Sequence, residues 1–155
     1  MSLNTCMITG HRKISLTQIP HIHQELERII ISAVESGYTH FISGFAEGAD
    51  LLFADIVVEL KARYPITLEA ALPYRNRINT KDCNFQKLIT QCDEIGIHSE
   101  MNTFNCYKKR NQYMVRNADL IIAVYDGRKS GGTYSTLQYA KILAKPIKII
   151  FPQTP

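Results

Sequence analysis

Paired cysteines, clustered histidines, long apolar runs and dense basic stripes are all missing from this sequence. Cys6, Cys83, Cys92 and Cys106 form no Cys-x-x-Cys pair and no zinc-ligand spacing, so they read as isolated, mostly buried or inert thiols. His21 and His23 are two apart and point in different directions on a helix. No metal and no cofactor is expected. No apolar run reaches bilayer length, and the N-terminus lacks the basic-then-apolar pattern of a signal peptide. A cytoplasmic protein that does not meet a membrane is the expectation. Lys and Arg outnumber Asp and Glu by 18 to 14, a net charge of +4 that suits an anionic ligand. Lys108-Lys109-Arg110 and Arg128-Lys129 come nearest to a basic stripe. They read as solvated surface, with Arg110 set apart below.

What is present is ordinary for one globular domain: 45% hydrophobic and 21% charged residues in 155 positions, with no repeat, low-complexity tract or linker. Strand-like and helix-like patterns alternate throughout. Strands are expected at 6–8, 40–43, 67–72, 94–97, 120–125 and 147–151. Helices are expected at about 16–36, after the 44–48 turn and ending before Pro65, at about 80–91, at 106–117, and from 132 or 133 to 144. Gly37 is read as a C-terminal stop. Alternation with near-continuous apolar strands predicts an α/β, Rossmann-like, doubly wound and mainly parallel sheet with helices on both faces, spanning 1–155 as a single domain.

Glycine-bearing turns follow three of these strands, and each opens onto a helical pattern: Thr9-Gly10-His11-Arg12, Gly44 through Gly48 to Asp50, and Asp126 with Gly131-Gly132-Thr133. In a parallel sheet such turns gather on the carboxyl edge, where helix N-termini offer free N–H groups to anions. A phosphate-containing small molecule is the leading ligand. Arg12 is suited to clamp phosphate, and His11 to donate a hydrogen bond or act as acid or base. Glu47 and Asp50 repel phosphate, so either is a candidate for sugar hydroxyls or for capping the helix, and Asp50 in particular suits the helix N-terminus. Arg110 and Asn111 open a helix where a cation meets an unfavourable dipole, which points to an anion or an ion pair. Tyr74 ends another strand and either stacks on a base or packs over the sheet edge. Tyr107 lies close enough to Arg110 in sequence to line the same cleft.

Several of these segments together resemble a known family: Thr9 to Arg12, Phe41 to Gly44 with Gly48 to Asp50, Arg110 to Val115, Ala118 to Gly127, and Gly131 to Thr133. In this order they are similar to the YpsA-like proteins of the SLOG superfamily, which also holds the DprA/Smf proteins and the LOG cytokinin-activating enzymes. The resemblance implies a Rossmann-like fold, a nucleotide or nucleotide-derived ligand at the glycine turns and homo-oligomers, a dimer favoured. LOG enzymes cleave the N-glycosidic bond of nucleoside monophosphates, and their glycine-rich stretch continues to a carboxylate. Here Gln138 stands roughly in that place, and an amide cannot stabilise an oxocarbenium-like centre as a carboxylate does. The reading is a sensor-type nucleotide-binding protein. An N-glycosidase using Glu47 or Asp50 is the alternative. Single-stranded DNA binding, with Tyr74, Tyr107 and Tyr113 as stacking groups, ranks last because the net charge is mild.

Overall fold

Strand and helix alternate as the hydrophobic pattern requires. The computed structural model describes residues 4–152. The elements are β1 (Thr5–Gly10), α1 (Ile19–Glu35), β2 (His40–Ser43), α2 (Ala49–Leu60), β3 (Thr67–Leu72), a 3-10 turn (Arg75–Asn79), α3 (Cys83–Ile89), β4 (Glu94–Ile97), α4 (Cys106–Asn117), β5 (Leu120–Val124), α5 (Gly131–Ile142) and β6 (Ile147–Ile150). All five strand pairings are parallel, in the order β4-β3-β2-β1-β5-β6. This is the Rossmann-like α/β arrangement. Among the described residues no helix is long and apolar enough to cross a membrane.

The two faces of the sheet follow from side-chain alternation. Along β5, Leu120, Ile122 and Val124 join the core made with α1, α2 and α3, while Ile121 and Ala123 join the one made with α4 and α5. Each fully buried aliphatic side chain contributes about 1.5–3 kcal/mol of transfer free energy, so the uninterrupted apolar run of β5 anchors both layers.

Helix ends depart from the pattern where local chemistry intervenes. α1 starts at Ile19 rather than Leu16, because Pro20 is tolerated only in a first helical turn; Leu16 is left exposed. Its C-terminus closes as expected at Gly37, whose φ is 101°, with Tyr38 N–H donating to Ala33 and Gly37 N–H to Val34. α3 is shorter than expected. Asp82 caps it by accepting from the backbone N–H groups of Asn84 and Phe85 at 2.9 and 3.2 Å. The residues before it form the 3-10 turn, which the periodicity does not foretell.

The strand order reverses between β1 and β5. β2 lies on one side of β1 and β5 on the other, so the chain leaves their carboxyl ends in opposite directions and opens a crevice there.

Candidate functional site

Two adjoining cavities occupy that crevice. The first, about 240 Å³, is bounded by Gly10, His11 and Arg12 after β1, Asp50, Arg110 and the 130–133 turn. The second, about 380 Å³, lies between Gly44, Glu47, Tyr74, Arg77 and Tyr107. Arg12 and Arg110 border both. Of the site candidates singled out from the sequence, all but Asp126, Tyr113 and Gln138 line one of the two cavities or the neighbouring groove at Glu47 and Gly48.

The turns are held against one another by close backbone packing. Gly48 has φ 83°, and a Cβ there would sit 2.4 Å from the Arg12 carbonyl oxygen and 2.5 Å from that of His11. A Cβ on Gly10 would meet that of Ala49 at 2.5 Å. These two glycines let the first turn cross the start of α2. Gly131 and Gly132 differ from them. Gly131 needs its glycine for a φ of 91°, but a Cβ on Gly132 would meet nothing within 4 Å. Ser130, the N-cap of α5, makes no side-chain capping bond, so the first N–H groups of this helix face the crevice without a cap. Thr133 is buried one turn into the same start.

Arg110 serves the turn above it. Its Nη1 donates to the carbonyls of Gly44 (2.7 Å) and Ala71 (2.9 Å), and its Nε donates to Asn111 Oδ1 at 2.8 Å. It is buried, so the conflict with the dipole at the helix start is answered mainly by protein carbonyls. Asp50 lies beside it, equally buried and accepting from Ala46 N–H at 3.2 Å. Desolvation pushes the Asp50 carboxyl up to about 6, with the Arg110 charge opposing. The Ser43 hydroxyl completes the arrangement, donating to the Asp50 carbonyl and accepting from Phe45 N–H. Phe45 adopts φ 57°, uncommon for a bulky residue, and is pinned edge-on against Phe85.

His11 and Asp126 have local partners. The Asp126 N–H donates to His11 Nε2 at 3.0 Å when the ring is neutral, Asp126 Oδ1 lies 3.2 Å from the same nitrogen, and burial lowers the ring's basicity against the pull of that carboxylate. Asp126 is bound to Arg128 through both carboxylate oxygens, and this holds its carboxyl far below the usual range. Arg128 thus folds back to border the first cavity and is not a freely solvated charge.

The second cavity is lined by arginines and tyrosines. Arg12 lies 4.9 Å from the centre of the Tyr107 ring and Arg110 5.5 Å, while Tyr74 meets Tyr107 edge-on at 6.2 Å. Arg77 was not singled out from the sequence. It sits over Phe85 and donates to the Phe45 carbonyl at 3.2 Å. Its only signal is its position in the short segment after Pro73-Tyr74. Tyr113 does not join this cleft. Its hydroxyl donates to Glu69 on the α4 face of the sheet, and its ring packs on His98. Gln138 borders shallow grooves on the outer side of α5 and neither cavity.

The cysteines remain unpaired and scattered. Histidine behaves differently in three dimensions, because parallel pairing brings His40 together with Glu69 and Glu94.

Comparison with known proteins agrees with this fold. A family model, YpsA, described as the YspA SLOG family, matches residues 6–152. A UPF0398 protein of Bacillus cereus is 25% identical over 148 residues, covering 86% of this chain and 80% of the relative. The SPbeta prophage-derived protein YoqJ of Bacillus subtilis is 30% identical over 118 residues, 65% of this chain and 68% of its own. Among solved structures, DNA processing protein A of Streptococcus pneumoniae superposes with a TM-score of 0.72 at 12% identity, covering 95% of this chain and 50% of that one. The Helicobacter pylori protein of the same name, described with a single-stranded DNA binding mode, gives 0.68 at 16% identity, covering 94% and 64%. This chain therefore spans half to two thirds of those proteins, and the likeness is one of fold.

Proposed function

The chain belongs to the YspA SLOG family, and from that premise we propose that it is a sensor-type protein binding a nucleotide or nucleotide derivative across the two cavities. The phosphate lies against the start of α5, and the base lies in the cleft of Tyr74 and Tyr107. The observation that carries this reading is Gly132. It has ordinary backbone geometry and nothing within 4 Å of a Cβ, yet it stands at an uncapped helix start facing Arg12 and Arg128 across the cavity. A glycine that the protein's own packing does not require fits close approach by a ligand. Arg12, exposed and stacked on Tyr107, joins the two cavities and supplies the charge that phosphate needs.

Binding is favoured over cleavage by the state of the carboxylates. Asp50 is buried beneath the second turn with Arg110, and Gln138 lies away from both cavities. Glu47 is the exposed carboxylate of the second cavity and is suited to ribose hydroxyls. A second reading, single-stranded nucleic acid, is supported by the cleft itself. Arg12, Arg77, Tyr74 and Tyr107 combine cationic and stacking groups. The DNA-binding neighbour shares the fold.

The test is a thermal-shift screen against nucleotides, nucleotide sugars and an oligodeoxythymidylate, with product analysis of each hit. The wild type is compared with Gly132→Val and Arg12→Ala. An intact mononucleotide that stabilises the wild type but neither variant supports the proposal. Recovery of free base plus sugar phosphate would convert the protein to an N-glycosidase. A shift with the oligonucleotide alone would replace the nucleotide reading with the nucleic-acid one.

A further inference from the structure

On the α4 face of the sheet, at the amino ends of the strands, three side chains converge from three neighbouring strands. His40 opens β2, Glu69 is the third residue of β3 and Glu94 opens β4. The parallel register pairs Ile42 with Glu69 and Glu69 with Glu94, and alternation turns all three side chains to the same face. His40 Nε2 lies 2.7 Å from Glu69 Oε1 and 3.4 Å from Glu94 Oε2, and the three donor atoms fall within 4.8 Å of one another. This cluster is separate from the carboxyl-edge cavities and does not depend on any reading of them.

The supporting contacts orient each group. The Thr67 hydroxyl donates to the Thr39 carbonyl, so the 2.6 Å contact between Thr67 Oγ1 and His40 Nδ1 has the ring as donor. That leaves Nε2 facing the carboxylates, hydrogen-bonded to Glu69 Oε1 through a proton that a metal would displace into solvent, and metal-binding histidines commonly have their other nitrogen tied to an outer partner in this way. Tyr113 donates to Glu69 Oε2 at 2.6 Å, directing Oε1 toward His40. Glu69 is nearly buried, whereas Glu94 is 65% exposed and free to swing inward. A second observation points to the same place. His98 Nε2 is a buried atom with no hydrogen-bond partner, and its ring packs on Tyr113. Gly96 keeps space open beside it, since a Cβ there would come within 3.2 Å of His98 Nε2 and 3.9 Å of Glu69 Oε2.

We propose that His40, Glu69 and Glu94 bind one divalent transition-metal cation of the zinc class, the remaining position going to water. Bonds of about 2.0–2.1 Å at tetrahedral angles separate ligand atoms by ~3.3 Å. The His40–Glu94 spacing of 3.4 Å is already close to this value, and the His40–Glu69 pair, at 2.7 Å, needs to part by about 0.6 Å. An imidazole beside two carboxylates suits zinc better than magnesium or calcium, which take oxygen donors. The ion would tie β2, β3 and β4 together.

The test is calorimetric titration of tag-free, chelator-stripped protein with zinc, manganese and magnesium chlorides, each alone. Expected are one saturable zinc site per chain, no magnesium heat, and a Tm that rises with zinc. Glu94→Gln alters an exposed side chain and should keep the metal-free Tm while weakening zinc at least tenfold; His40→Asn should do the same to affinity. Cys83→Ser, which removes an exposed thiol able to capture zinc, should change nothing. Cobalt substitution should give d–d absorption without a thiolate charge-transfer band. Absence of saturable binding, binding unaffected by Glu94→Gln, or binding lost in Cys83→Ser would each overturn the proposal and leave the cluster as an imidazolium–carboxylate ion pair.

Discussion

Arg110 Nη1 donates to the Gly44 carbonyl at 2.7 Å, so a side chain from the fourth helix props up the turn after the second strand. A Cβ on Gly44 would stand 2.6 Å from that nitrogen and 2.9 Å from Asp50 Oδ2. The glycine is there because the guanidinium and the carboxylate close in beneath it.

Removing Arg110 should therefore damage the fold before it damages binding. Arg110→Ala strands the buried Gly44 and Ala71 carbonyls and removes the charge nearest the buried Asp50, a loss of about 2–4 kcal/mol. Urea unfolding of the variant without ligand measures it. A stability within about 1 kcal/mol of wild type would instead assign Arg110 to the ligand.

Asp50 should make stability fall as the solution turns less acid. Its carboxyl titrates near 6 in the folded chain against 3.8 as the ordinary value, so between those pH values the folded state holds more protons than the unfolded state. Its contribution is full below about pH 4 and gone above about pH 6, on the order of 3 kcal/mol in all. The difference between wild type and Asp50→Asn, followed by unfolding across this range, isolates the effect from other titrating groups. A difference that does not change with pH would show that the carboxyl is not perturbed.

Gly48 and Gly132 should respond oppositely to alanine. Gly48→Ala places a methyl group against two carbonyl oxygens at a left-handed φ and should destabilise by several kcal/mol, on the order of 3 or more. Gly132→Ala meets open space and should be neutral or stabilising by up to about 1 kcal/mol. Thermal denaturation of the two variants side by side decides it.

His11 should act as a local clasp. Its Nε2 accepts from Asp126 N–H only while the ring is neutral. Burial lowers its basicity, so the clasp is whole above the ordinary histidine range and opens as pH falls through the lower folded value. The protection of the Asp126 amide, taken relative to the intrinsic exchange rate at each pH, should fall on acidification and, at neutral pH, in His11→Ala, with global stability down by about 1 kcal/mol. Protection of that amide that is the same in both proteins would contradict this role.

Local patterns carried most of the architecture. The apolar run of Leu120 to Val124, the stop at Gly37 and the glycine turns at Gly10, Gly48 and Gly131 are short-range signals, and each appears in the fold near its expected place. Boundaries slipped where a particular side chain intervened, at Pro20 and at Asp82. Roles were harder to read than positions. Arg110 reads from the sequence as the partner of an anion or as one half of an ion pair. Its burial against Gly44 and Ala71 depends on residues 66 and 39 positions away. Arg77 enters the second cavity from a 3-10 turn that has no periodicity to announce it.

By itself, then, the sequence determined a parallel α/β sheet with three glycine-bearing turns on its carboxyl edge, because periodicity and turn chemistry act over a few residues. Strand order and register were decided only by the tertiary structure. They chose which charges meet over a distance: Asp50 beside Arg110, and His40 with Glu69 and Glu94 from three strands. These arrangements join residues 25 to 60 positions apart, and no local pattern encodes a separation that long. Burial then sets what each group does, since the same carboxylate is a solvated anion on the surface and a proton-holding acid near pH 6 beneath the second turn.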